Sequence, residues 1–84
     1  MRKDEKLILQ QFAKILKEQR KKKFKSLNQF AFDSSNLTSA TVSRIENATV
    51  DFKFTTLVKI AYALNMSVSE LLENFNFDYS KFEE

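Results

Sequence analysis

The sequence predicts an all-α fold of five helices with a short aromatic C-terminal extension, and three observations carry that expectation. Apolar residues in the first 74 positions recur at helical spacing and show no period-two strand pattern. Two capping boxes, Ser26-Leu27-Asn28-Gln29 and Ser67-Val68-Ser69-Glu70, mark helix starts. In each, a serine hydroxyl and a glutamine or glutamate side chain satisfy each other's unpaired backbone N–H groups. Finally, Asp33-Ser34-Ser35-Asn36 groups four turn formers between two helical stretches.

The first helix is expected from about Asp4 to Lys22, with Ile8, Phe12, Ile15, Leu16 and Gln19 on one side and a lysine-rich opposite side. Asp4 and Glu5 sit at the positive end of its dipole and Arg20 to Lys23 at the negative end. Phe24 interrupts the basic block and is expected to turn inward. A second helix should begin at Leu27, carry Leu27, Phe30 and Ala31 inward, and fade near Ser34. Leu37 points back to the core, and Thr38 caps a third helix, because its hydroxyl accepts from a first-turn N–H. There Val42 and Ile45 face inward at a spacing of three.

Residues 48–51 read as a loop, with Asp51 as the cap of a fourth helix from about Phe52 to Leu64. Phe54, Leu57, Val58, Ile60, Ala61 and Leu64 make that helix apolar over a wide arc, so most of it should be buried. The fifth helix follows Ser67 and carries Val68, Leu71 and Leu72 inward. The chain contains no glycine and no proline. Turns that need a left-handed residue must then use asparagine, the next most tolerant type, and Asn36, Asn47 and Asn65 stand where such turns are wanted.

Eighty-four residues make one small domain, and 43% apolar content allows only a small core. The expected organisation is a domain over 1–74 and an arm over 75–84. The chain holds no cysteine and no histidine, which removes disulfides, thiol chemistry, the usual zinc sites and imidazole catalysis. With its carboxylates scattered, no nucleophile–base pair or metal cluster can be assembled, so no enzyme, cofactor or metal is expected. No apolar run approaches a bilayer span, and the N-terminus lacks the apolar stretch of a signal peptide, which makes the cytoplasm the expected location.

Net charge is +3, but its distribution says more than its size. Residues 1–59 hold 13 of the 14 lysines and arginines against 6 acids, while residues 60–84 hold one lysine against 5 acids. Such polarity orients a molecule in the field of a polyanion. The open side of the third helix carries Ser39, Ala40, Ser43 and Arg44, short or polar side chains around one two-pronged donor. That face suits the major groove of DNA, where arginine pairs with guanine. An ordinary solvated surface is the other reading of those residues alone.

Taken together, the pattern resembles the lambda-repressor-like (Cro/CI-type) helix-turn-helix family. The resemblance lies in Arg20, Ser26-x-x-x-Phe30-Ala31, Leu37-Thr38, Thr41-Val42-Ser43-Arg44-Ile45-Glu46-Asn47, and Leu57-Val58-Lys59-Ile60-Ala61-x-Ala63-Leu64-Asn65-Met66-Ser67-Val68-Ser69-Glu70-Leu71-Leu72. It spans about residues 12 to 72. It implies that Ser39, Ala40, Thr41, Ser43 and Arg44 face base edges, and that Arg20 and Glu46 form an ion pair. Thr38, Asn47, Lys53 and Ser26 would meet phosphates. Leu27 stands where many members carry a phosphate-binding glutamine, and Lys22, Lys23 or Lys25 would take over that contact.

The pattern also departs from the family. Ser34-Ser35-Asn36 holds one residue more than the usual turn, and Asn36, Ala48 and Asn65 replace the usual glycines. Ala48 tolerates a left-handed conformation poorly.

In the extension, Phe75, Phe77 and Tyr79 alternate with polar residues, and Phe82 follows. These aromatics either return to the core or meet a partner subunit, together with Leu71. The resemblance implies a transcriptional regulator that binds double-stranded DNA as a homodimer on a two-fold symmetric operator, of the short-repressor or restriction–modification controller type. The alternative is an antitoxin-like or adaptor module whose main partner is another protein.

Overall fold

A computed structural model of the protein describes residues 2–24, 26–33, 37–78 and 80, with Leu27, Phe32 and Asp33 described by backbone alone. Five helices follow in order: α1 (Lys3–Lys23), α2 (Leu27–Asp33), α3 (Ser39–Glu46), α4 (Phe54–Ala63) and α5 (Val68–Leu71). The described residues contain no strand.

At the start of α1, Glu5 Oε1 accepts from the Arg2 backbone N–H at 2.8 Å. Its last turn gathers Arg20, Lys21, Lys22 and Lys23, where the dipole favours cations. The helix stops at Phe24, whose backbone is extended and whose ring meets Phe30 edge-on, centroids 5.0 Å apart. The buried side is not quite the expected one. Leu9, Phe12, Ala13, Leu16 and Arg20 are buried, together with Asp4, whereas Ile8 and Gln19 are only half-buried. The cause is a distant segment: Ala48 packs with Leu9 and Ala13, and Phe52 lies against the three of them.

α2 begins as expected, with Ser26 Oγ accepting from the Gln29 N–H at 3.1 Å. Thr38 Oγ1 caps α3 by accepting from the Thr41 N–H at 3.1 Å. Phe30, Leu37, Val42 and Ile45 then close over Phe12 and Leu16 from α1 and Ile60, Ala61, Leu64 and Leu71 from the back of the chain. Each of the larger side chains so enclosed contributes about 1.5–3 kcal/mol by leaving water. α3 packs against both α1 and α2. The turn residues Ser34, Ser35 and Asn36 lie outside the described residues, and with them the expected extra residue.

The α3–α4 connection corrects two expectations. Asn47 takes an ordinary conformation at φ −94°, and the left-handed residue is Ala48 at φ 55°. Its methyl group belongs in the Leu9–Ala13 cluster, and burial there offsets part of the conformational cost. Asp51 does not cap α4. That helix starts at Phe54, after Lys53, whose side chain makes no capping bond. Phe52 stays outside because its ring is held 5.2 Å from that of Phe12.

A larger correction concerns α4 itself. Ile60, Ala61 and Leu64 are buried and Leu57 packs at the edge of the core, but Phe54 and Val58 are 71% and 43% exposed. Tyr62, next along the same row, is 85% exposed. A short helix at the margin of a small domain has one side to cover, and this sequence is apolar over more than that side.

Asn65 ends α4 in the left-handed region at φ 57°, as its sequence position suggested, and the Met66 N–H returns to the Ala61 carbonyl at 2.9 Å. The Lys23 ammonium donates to the Leu64 carbonyl at the same helix end. The second capping box closes in both directions: Ser67 N–H to Glu70 Oε1 at 2.9 Å, and Glu70 N–H to Ser67 Oγ at 3.0 Å. Hydrogen bonding of the carboxylate by the Ser67 backbone N–H, and after it by the Ser67 side chain, holds the Glu70 carboxyl below the usual glutamate range. Phe75 packs against the core, and the next residue is tied to α1, where Gln11 Nε2 donates to the Asn76 carbonyl at 2.8 Å. Residues 75–78 form neither strand nor helix.

Candidate nucleic-acid interface

Contacts on several sides fix what α3 presents outward. Val42 and Ile45 anchor it in the core. At its last turn Glu46 is gripped by Arg20, Nε to Oε2 at 2.5 Å and Nη2 to Oε1 at 3.0 Å. Both residues are only 8% exposed, so two opposite charges pair in a two-pronged, largely dry contact. The C-terminal end is closed by Thr49, whose N–H and hydroxyl both donate to the Arg44 carbonyl, at 3.0 and 3.1 Å. Lys6 reaches from α1 to donate to the Ala48 carbonyl at 2.5 Å.

What remains open is one continuous side. Ala40, Arg44 and Asn47 are exposed, and Ser39, Thr41 and Ser43 are half-exposed. Two of the hydroxyls are oriented by neighbours. Thr41 Oγ1 accepts from the Thr38 hydroxyl at 2.9 Å, and Ser43 Oγ accepts from Asn47 Nδ2 at 3.3 Å. A hydroxyl that accepts from its own protein still has a proton to donate, so Thr41 and Ser43 retain donor capacity. Arg44 adds an exposed guanidinium, whose planar fork is the geometry that reads two adjacent acceptors.

Beside this face lies a groove of about 440 Å³ between α3 and α4, lined among others by Thr41, Arg44, Lys53, Thr55, Thr56 and Lys59. It brings Lys53 and Lys59 to the flank of the Arg44 side. The sequence reading did not single out Lys59, because α4 was expected to be mostly buried. Its signal was the polar pair Thr55 and Lys59, four residues apart.

The other expected residues divide. Lys22 and Ser26 are exposed near the α1–α2 junction. Lys23 is exposed too, but its ammonium is engaged at the end of α4. Thr38 is exposed with its hydroxyl used in the cap. Lys25 lies outside the described residues. Of the residues expected at a dimer contact, Leu71 is 2% exposed within the core and has no surface to offer a second copy. Phe75 is half-buried against the same core and Phe77 is half-buried, while Tyr79 and Phe82 lie outside the described residues.

Residues 11–75 match the family model of the Cro/C1-type HTH DNA-binding domain. The chain belongs to this family. The matched stretch takes in Arg20, all of α2 to α5, and the open side of α3. In this Cro/C1-type domain α2 and α3 are the helix-turn-helix pair, packed on each other. No match was found among curated proteins or solved structures. No helix among the described residues is long and apolar enough to cross a membrane.

Proposed function

We propose that this Cro/C1-type domain is a cytoplasmic transcriptional regulator that binds a two-fold symmetric operator as a homodimer, in the manner of a short repressor or controller protein. The observation that carries the reading is the open side of α3: short side chains, the half-exposed hydroxyls of Ser39, Thr41 and Ser43, and one exposed arginine, bordered by Lys53 and Lys59. Short residues let the helix backbone approach the base edges, and Arg44 spans the two acceptors of a guanine. Ser39, Ala40, Thr41 and Ser43 act through hydroxyl contacts and thymine methyl groups. With one long reader per half-site, much of the discrimination comes from DNA shape.

Phosphate contacts come from Lys22, Lys25, Ser26, Thr38, Asn47, Lys53 and Lys59, and supply most of the affinity. The two-fold arrangement places two α3 helices in successive major grooves, with centres about 34 Å apart.

Selection of bound sites from random duplex DNA tests this directly. A symmetric consensus with one strongly preferred guanine per half-site is expected. A flat pool, bound with the same affinity as unselected DNA, sinks the reading in favour of a module whose main partner is another protein.

A further inference from the structure

Phe54, Val58 and Tyr62 form an uncharged row on α4, spaced by four residues and exposed by 71%, 43% and 85%. Residues four apart stack on one side of a helix, so the three make a single ridge. An apolar ridge of this kind is costly to leave in water, and on a small monomer it marks a contact surface. We infer that this ridge is the surface through which two copies of the chain associate, α4 lying antiparallel to its counterpart with Val58 on the two-fold axis. The inference rests on the homodimeric DNA-binding reading and supplies its missing interface.

Three observations select a second copy as the occupant. First, the ridge is symmetric about its centre: Phe54 and Tyr62 each lie four residues from Val58. Turned end for end, a second ridge sets Phe54 against Tyr62 twice and Val58 against Val58, with the smallest side chain where the helices come closest. A two-fold contact requires that self-complementarity. Second, the start of the chain's own aromatic extension is committed elsewhere, since Phe75 packs in the core and Asn76 is bonded to Gln11 on α1.

Third, the ridge lies beside the basic groove and not across it. At 100° per residue, Thr55, Thr56 and Lys59 stand about 60–160° round α4 from Val58. A two-fold axis perpendicular to the plane of the paired helices therefore leaves both grooves, and both Arg44 side chains, directed to the same side of the dimer.

The size of the ridge sets its strength. With rings of roughly 200 Å² each, the exposed fractions amount to about 300–400 Å² per copy. A stable interface takes about 800 Å² per partner, so this dimer is weak in free solution and is completed by binding to neighbouring half-sites. Lys59 on each copy repels the other, and a polyanion relieves that repulsion.

A chain with no cysteine of its own allows a direct test by cross-linking without DNA. Val58→Cys, on the axis, is expected to form disulfide-linked dimers about tenfold or more faster than Lys14→Cys, an exposed position on α1. Phe54→Cys and Tyr62→Cys should link slowly when each is alone and rapidly when mixed. Wild-type melting temperatures for all four variants establish that they fold.

Sedimentation supplies the second measurement: Tyr62→Glu should raise the dimer dissociation constant roughly 10–100-fold, the effect of losing a central aromatic contact. Equal rates for Val58→Cys and Lys14→Cys, or no advantage for the mixture, overturn the inference. Because no DNA is present, either result leaves the site-selection experiment to judge the DNA-binding reading separately.

Discussion

Arg20 and Glu46, 26 residues apart in sequence, lock the C-terminal end of α3 to α1 through two hydrogen bonds at 2.5 and 3.0 Å. The contact restricts both the tilt and the rotation of α3, because a planar guanidinium donates two bonds to one carboxylate in few orientations. Removing either partner strands the other charge in a nearly dry site. Arg20→Ala or Glu46→Ala should each cost about 3–5 kcal/mol. The double change Arg20→Met with Glu46→Leu should recover most of that loss. Urea denaturation measures both, and single variants that lose less than about 1 kcal/mol would show the pair to be solvated.

Arg44 and Lys59 flank one groove, and the proposed function gives them different ends. Arg44→Ala should leave folding unchanged and cost about 1–3 kcal/mol of binding at one base position. Lys59→Ala should weaken all sequences alike and lower the slope of log affinity against log salt by about 1. Binding titrations on a site and its single-base variants, at several salt concentrations, separate the two. A uniform loss for Arg44→Ala would reassign it to a phosphate.

Ala48 holds a left-handed conformation that costs an L-residue roughly 1–2 kcal/mol, while its buried methyl returns about 0.8 kcal/mol. Ala48→Gly relieves the first and forfeits the second, so stability should stay level or rise by up to about 1 kcal/mol. Ala48→Val, branched at positive φ and crowded against Leu9 and Ala13, should lose about 2 kcal/mol or more. Thermal melts of both variants decide, and a destabilised glycine variant contradicts the strain.

The Ser67–Glu70 box gives stability a pH dependence. Bonds from Ser67 lower the folded-state affinity of Glu70 for a proton relative to the unfolded chain. Its contribution is therefore complete above the ordinary value of 4.5 and is lost as pH falls through the lower folded value. Glu70→Ala should melt below wild type at pH 7, and the gap should close in acid below 4.5. A gap that is constant from neutral to strongly acidic pH would mean that the carboxylate charge plays no part in the cap.

Helix starts at Ser26, Thr38 and Ser67 were legible in the sequence because a cap joins residues two or three positions apart. The open side of α3 was legible for a similar reason: Val42 and Ile45 must go inward, and Ser39, Ala40, Ser43 and Arg44 must then go outward. The Arg20–Glu46 contact came from the family resemblance, since nothing local links residues in different helices. Lys59 and the α4 ridge were missed for one cause, an apolar arc read as mostly buried.

From residue order alone came five helical segments, the caps at Ser26, Thr38 and Ser67 and the open side of α3, because hydrogen-bond geometry and periodicity act over one or two turns of chain. Which apolar residues are covered was decided in three dimensions. Phe52 stacked on Phe12 and so moved the start of α4, Ala48 filled the space beside Leu9 and Ala13, and none of the described segments covers Phe54, Val58 and Tyr62. Burial depends on what distant parts of a small domain can reach, and 84 residues do not supply enough surface to cover every apolar side chain they contain.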